Sequence, residues 1–417
     1  MADPVSMNEA LLLARDQPAQ PWHQVSVLII DGAAPDRELL ATLVAQRLVY
    51  APRFRQKLAG GGLQSWVDDR GLNVAGHLRA ETLTGSLEQR VATLLATPLE
   101  RLHPLWDALI LDGLPGDCWA LAVRAHPALV DGQDNVHLLH ELLDEQPTLI
   151  EGDPPAWNPV PEQATGFGGL LRHASDPIQA LREAAAGLGG LAEHGLRHVS
   201  TEAAPRHVAA LELDVADLKA IAERGECTVH DVVLALVTAG VRGWQLDSGQ
   251  PFHDPVALVP LAVDDEGASA MGCQVASQFI QLPVTTTTAI QRLAALATMT
   301  QARIDSDRLV GARDLIDLAG FAPPTLHAVA AGLVSTGRGH EALVVNVPGP
   351  SSVRWLGEQR VRSLMVFEST VDEQAISVGV SSLAGRVGLA FTANAPVANL
   401  TRQVSDELGV LTRELRR

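Results

Sequence analysis

Pro147, Pro154, Pro155, Pro159 and Pro161 gather around Trp157 near the first third of the chain. Each proline fixes its own φ and removes a backbone donor, so neither a helix nor a central strand runs through such a cluster. A Gly/Ala-rich helical segment, Ile178 to Leu196, follows it. On both sides of this stretch the apolar patterning of folded elements starts afresh. The expectation is an N-terminal domain over 1–150, a crossover over 151–204 and a C-terminal domain over 205–417. A length of 417 residues, long for a single hydrophobic core, agrees with two domains.

In the first half, the β-branched run that ends at Val27-Leu28-Ile29-Ile30-Asp31 reads as a strand. Leu39, Leu40, Leu43, Val44 and Leu48 form a helical stripe after Pro35-Asp36-Arg37-Glu38. Ser86-Leu87-Glu88-Gln89 is a capping box that opens a helix with Leu87, Val91, Leu94 and Leu95 inward. His103-Pro104-Leu105-Trp106 reads as a turn followed by a buried indole, with a strand at Ala108 to Leu111. Cys118 to Val123 is short, apolar and free of caps, a buried strand, and Gln133 to Leu143 carries Val136, Leu139 and Leu143 at helical spacing. Between these two elements lies a tight connection bearing His126, Pro127 and Asp131-Gly132. Polar groups on a loop held by rigid elements are well placed for chemistry.

The second half repeats the alternation. Strands are expected at His207 to Leu213, Val256 to Val263 and Val344 to Val347, the last stopped by Pro348-Gly349-Pro350. Thr228 and Asp231 form a capping pair ahead of Val232, Val233, Leu236, Val237 and Val241. Thr288 to Gln291 forms another, and Leu400, Val404, Leu408, Leu411 and Leu415 mark a closing helix.

A net charge of −18 disfavours nucleic acid or an anionic membrane as partner. Cys118, Cys227 and Cys273 are widely spaced without a CxxC, which indicates neither a disulfide framework nor a zinc site. No three-ligand cluster stands at metal-binding spacing: His137 and His140 with Glu141 read as a solvated helix face, so no bound metal is expected. Gly60-Gly61-Gly62 lacks the strand and the Lys-Ser/Thr of a phosphate cradle. Neither a signal core nor a run of about 18 apolar residues is present, so the expected location is the cytoplasm, with no transmembrane segment.

Four pieces in order resemble the wax ester synthase/diacylglycerol acyltransferase family, within the chloramphenicol-acetyltransferase-like, condensation-domain-like superfamily. They are Pro104-Leu105-Trp106, His126…Asp131-Gly132, Thr228-Val229-His230-Asp231-Val232 and Asn346-Val347-Pro348-Gly349-Pro350. The resemblance implies an α/β fold of two chloramphenicol-acetyltransferase-like domains, each a mixed sheet with helices, and a tunnel at their interface. It implies no bound cofactor, an acyl thioester on coenzyme A or an acyl carrier protein as co-substrate, and a small hydroxyl or amine acceptor.

The family motif is HHxxxDG, and its second His is the general base. Aligning Asp131-Gly132 on the motif puts His126 on the first His and Pro127 on the base, and proline has no titratable group. Other family positions differ too: His230-Asp231 stands for Asn-Asp, Gly272-Cys273 for Gly-Asn, Asp264 ends the strand that usually ends in Arg, and Val345 replaces a Ser. The candidate catalytic residues are His126, Asp131 and His230; Pro127, Gly132, Cys273 and Asn346 are the candidate substrate contacts.

Each has a structural alternative. His126 either holds the turn or stands in as base. Asp131 accepts local hydrogen bonds or pairs with an arginine, and Gly132 permits a tight backbone turn. His230 is a capped first-turn residue or a titratable newcomer. Cys273 is a small apolar residue or a reactive thiol. Three functions are compatible: acyl transfer through a non-standard site, a remodelled tunnel enzyme catalysing a cyclisation or elimination, and a non-catalytic binding protein. The family favours the first.

Overall fold

The structure is a computed structural model that describes residues 3–60, 64–129, 138–159, 205–249, 251–263, 274–304, 341–347, 349–370 and 376–415. Among the described residues, fifteen strands make three sheets. Their ranges are β1 (Asp3–Pro4), β2 (Gln24–Asp31), β3 (Gln56–Ala59), β4 (Ser65–Asp68), β5 (Leu78–Thr82), β6 (Trp106–Leu114), β7 (Cys118–Ala125), β8 (His207–Asp214), β9 (Val256–Val263), β10 (Gln274–Gln281), β11 (Ala342–Val347), β12 (Trp355–Leu356), β13 (Gln359–Phe367), β14 (Ile376–Leu383) and β15 (Arg386–Ala393).

The first large sheet has the order β12-β13-β2-β7-β6-β5 and the second β10-β9-β11-β14-β15-β8; β1, β4 and β3 form a small third sheet. Both large sheets are mixed. β5 runs parallel to β6, and β11 runs parallel to both β9 and β14, while the remaining pairs are antiparallel. The chain thus has the α/β architecture expected from the resemblance, two mixed sheets with helices.

The strand–turn stretch expected around Cys118 is β7, buried at every position. The capping boxes at Ser86 and Thr228 both form, with Gln89 and Asp231 as their third residues. Thr288 accepts from the Gln291 backbone N–H. The closing helix, Leu400–Glu414, buries Leu400, Val404 and Leu411 against the helix Val229–Ser248. Of the helix expected over 133–143, Leu138–Leu142 is present, and the residues before it lie outside the described ones. So do the Gly/Ala-rich segment and most of the expected crossover. Its beginning is tied to the first half: Gln46 Nε2 donates to the carbonyls of Glu151 and Gly152, and the Arg55 guanidinium lies 3.9 Å over the Trp157 ring.

One connection had no sequence signal. After β11, the chain leaves the second sheet and adds β12 and β13 to the first, with β13 antiparallel to β2 (Leu364↔Leu28, Phe367↔Val25), before returning as β14. The two sheets are therefore joined by strand exchange. A continuous core holds Leu28, Ile30, Ala125, Leu129 and Val366 together with Leu258, Leu343, Val345 and Val347 from the second sheet. On the opposite face the helix Leu87–Ala96 places Val91, Leu94 and Leu95 against Val25, Val27, Ala120, Val208 and Ala390.

Candidate functional site

The motif loop leaves the first sheet at the end of β7, where Ala125 pairs with Gln24 of β2 and Trp106 of β6. A single 3-10 turn, Pro127–Leu129, follows and is wholly buried. Pro127 suits this start, since its fixed φ is near that of such a turn. Trp106 below it is a buried indole, as expected, with Nε1 donating to the Phe54 carbonyl at 2.7 Å and the His77 ring stacked on it.

His126 is held through its backbone and its ring Nδ1. Its backbone N–H donates to the Leu105 carbonyl (2.9 Å) and its carbonyl accepts from Leu129 N–H (3.0 Å). Its ring Nδ1 accepts from Ala128 N–H at 3.0 Å. That bond places the ring proton on Nε2, which lies 3.9 Å from Asp16 Oδ2, beyond hydrogen-bonding reach. The residue is only 1% exposed. Burial, with a contribution from Arg101, lowers its pKa to about 3, so the ring is neutral and a poor proton acceptor. Asp16 is itself engaged, accepting from Trp22 N–H at 2.8 Å and from Arg101 at 2.9 Å.

A second histidine lies beside this group. His23 Nε2 donates to the Leu94 carbonyl at 2.9 Å, and burial, then Arg124, lower its pKa to about 4. Arg124 in turn is spent on Asp107 and on the Leu94 and Thr97 carbonyls. Neutral buried histidines make the fold acid-sensitive. The unfolded chain takes up their protons near pH 6.5, whereas the folded chain resists until about 4 and 3. Stability present above pH 6.5 is therefore lost as pH falls. His126→Asn, which keeps an acceptor for Ala128, is expected to be less stable than wild type at pH 7.5. The gap should close by about 1.4 kcal/mol per pH unit below 6.5. Urea melts of both proteins at pH 7.5, 6.0 and 5.0 measure this, and a constant gap would contradict it.

His230 occupies the first turn of Val229–Ser248. Asp231 completes the cap, accepting from Thr228 N–H (2.8 Å) and Thr228 Oγ1 (2.7 Å), and takes a further bond from Thr300 Oγ1 (2.5 Å). His230 Nε2 is buried with no hydrogen-bond partner among the described residues, and burial outweighs Asp231 to lower its pKa. Asn346 is half-buried in β11, paired with Val380, while Gly349 N–H donates to Ser382 Oγ at 3.0 Å. Val130, Asp131, Gly132 and Cys273 lie outside the described residues. The described ones place His126, Pro127 and Ala125 at one end of the first sheet, and set His230 on a helix of the second half.

Sequence reasoning did not identify Gln24 and Glu368, which share that end of the sheet. Gln24 Nε2 donates to Glu368 Oε1 at 2.6 Å, and Glu368 is only 2% exposed. Burial raises its carboxyl to about 7 against the opposing effect of the Gln24 bond. In sequence, a Glu after an apolar run looks like the solvated end of a strand.

A family model for the wax ester synthase/diacylglycerol acyltransferase catalytic domain matches residues 5–233, and one for the C-terminal domain of the same family matches residues 271–412. The chain belongs to the wax ester synthase/diacylglycerol acyltransferase family. A Mycobacterium tuberculosis relative named provisionally as the diacylglycerol O-acyltransferase MT1809 is 27% identical, over 91% of this chain and 84% of its own. Another from that organism, named with the same reserve as the diacylglycerol O-acyltransferase tgs1, is 27% identical over 93% and 90%. The fold matches a wax ester synthase/diacylglycerol acyltransferase from Marinobacter aquaeolei VT8 with a TM-score of 0.69 at 21% identity, covering 99% of this chain and all of that one. The starter condensation domain of rhizomide synthetase, solved with C8-CoA and Leu-SNAC, matches at 0.54 and 14% identity, over 100% and 95%. In this chain the catalytic-domain match thus extends past the proline-rich stretch, and the strands β12 and β13 of the first sheet come from the region of the C-terminal match. Among the described residues, no helix is long and apolar enough to cross a membrane and no cluster of metal-ligating side chains occurs.

Proposed function

We propose that the chain is an acyltransferase that moves an acyl group from a thioester to a hydroxyl or amine acceptor through a non-standard site beside Pro127. The observation that carries this is the Pro127–Leu129 turn, with which the family's motif opens, at the end of β7 and against the core shared by both sheets, in a chain matched by both family models. Coenzyme A is the favoured donor carrier, in keeping with the C8-CoA named in the condensation-domain complex; an acyl carrier protein is the alternative. The reaction would run in a tunnel between the units of about 1–150 and 205–417, bridged by 151–204, in the cytoplasm and without a bound cofactor.

Asp131 and Gly132 would shape the turn, while Cys273 and Asn346 would contact the acyl chain or the acceptor. With its lone pair used by Ala128, His126 serves the turn as a positioning residue. His230, neutral and capped in place, would meet substrate from the second half. Losing a general base typically costs about 10²- to 10⁴-fold, so wild type is expected to transfer to a long-chain alcohol more slowly than about 1 s⁻¹.

Pro127→His tests the reading. The substitution offers a proton acceptor at the family's position, and transfer from acyl-coenzyme A to a simple alcohol is expected to rise about tenfold or more. Thiol release and ester formation report it. A wild type that is inert with every acyl thioester, and that Pro127→His does not awaken, favours the remodelled-tunnel reading, in which Pro127 shapes a pocket for a cyclisation or elimination.

A further inference from the structure

We propose that Glu368 is the proton acceptor of this site, supplied from the strand that the second half adds to the first sheet. The inference rests on the acyl-transfer reading and names the group that replaces the missing base.

β13 pairs with β2 and β2 with β7, so Glu368, just past Phe367, sits beside Gln24, which sits beside Ala125. Side chains alternate across a sheet. Leu364 and Val366 of β13, Leu28 and Ile30 of β2, and Val123 and Ala125 of β7 all face the core shared by the two sheets. By the same alternation, Gln24 and Glu368 belong to that face too, and their hydrogen bond shows that the two share one face. Two strand spacings, roughly 10 Å, separate the backbone at Glu368 from that at Ala125. An acceptor hydroxyl bound over Gln24 would lie within reach of a side chain from either end.

Among the described residues, nothing structural accounts for a carboxyl here. A buried carboxylate is ordinarily ion-paired, yet Gln24 is its one hydrogen-bond partner among the described residues. Burial and the Gln24 bond are what act on its carboxyl, and the charged groups of the neighbouring elements bond to other residues. Arg206, ahead of β8, donates to Thr370 and Asn394. His23 turns to Leu94 and Arg124 to Asp107 on the opposite face. Asp16, Arg101 and His126 form their own group. A carboxyl that burial pushes up to about 7 holds and releases a proton near neutrality.

In the step, the Glu368 carboxylate takes the proton of the acceptor hydroxyl as its oxygen bonds to the thioester carbonyl carbon. The tetrahedral intermediate collapses, the carbon–sulfur bond breaks, and the leaving thiolate takes the proton back from Glu368. Ester and thiol form and the carboxylate is restored.

The test is thiol release from decanoyl-coenzyme A with decanol, in wild type, Glu368→Gln, Pro127→His and the double variant. Glu368→Gln alone should lower kcat about 10²-fold or more, with decanoyl-coenzyme A binding, measured by calorimetry, unchanged. The wild-type rate should rise with pH to a plateau through an inflection near 7, and Glu368→Asp should keep that shape. With Pro127→His present, a second base exists, so adding Glu368→Gln should cost under tenfold; a merely structural Glu368 would cost the same in both backgrounds. Equal losses in the two backgrounds, or a fully active Glu368→Gln, overturn the assignment and leave acyl transfer standing. No thiol release from wild type or Pro127→His overturns acyl transfer itself, and the assignment with it.

Discussion

Gly379→Ala is expected to destabilise the protein by at least about 3 kcal/mol. Gly379 lies in β14, paired with Ala390 of β15 and Val345 of β11, where β13 crosses from the other sheet. A Cβ at 379 would overlap the carbonyl oxygen of Val366, and one at Gly388 would come within 2.7 Å of the carbonyl oxygen of Leu364. These are backbone atoms fixed by the β13–β2 ladder, so no rotamer change relieves the clash. The neighbouring positions show the same demand for small groups. Ser381 Oγ donates to the Leu364 carbonyl (2.6 Å) and Ser377 Oγ to the Ser369 carbonyl (2.9 Å), which satisfies carbonyls that the crossing buries. Gly409→Ala is the control: it sits in the closing helix, its Cβ would meet only the end of Arg413 at 3.4 Å, and helix propensity favours Ala. Urea melts should show a large drop in midpoint for Gly379→Ala and none for Gly409→Ala. Similar midpoints for the two would refute the crossing as drawn.

Breaking the buried pair between Arg292 and Glu407 is expected to cost about 3–5 kcal/mol, because either partner alone leaves an uncompensated charge in the core. Arg292 is 5% exposed and Glu407 6%. Arg292 Nε donates to Glu407 Oε1 at 2.9 Å, its Nη2 to Oε2, and its Nη1 to the Thr286 carbonyl at 2.6 Å. The pair clamps the helix Ala289–Ile304 to the helix Leu400–Glu414. Glu407→Leu should therefore melt far below wild type. Arg292→Met with Glu407→Leu should recover most of the loss, since apolar replacement of both partners removes the desolvation penalty together with the attraction. A double variant no more stable than Glu407→Leu would show that the clamp works through geometry rather than charge.

Local chemistry determines much of this protein without reference to tertiary contacts. Ser86–Gln89 and Thr228–Asp231 cap their helices because the short side chain and the third residue satisfy each other's backbone donors. β2 and β7 are strands because their β-branched and apolar runs suit a sheet buried on both faces. The motif turn was legible for the same reason, as was the absence of a base at 127, which is a matter of residue type alone. What the chain did not announce was pairing at long range. β13 joins a strand more than three hundred residues away, and no periodicity within either segment records the partner. The glycine at 379 reads like any strand glycine until a foreign backbone lies across it. Protonation was also decided in three dimensions. His126 becomes a neutral anchor because the fold removes it from water and gives its Nδ1 to Ala128. Glu368 rises toward neutrality because strand exchange buries it beside an uncharged partner. Residue identity sets which groups can carry charge, and burial and neighbours, known only from the fold, set which ones do.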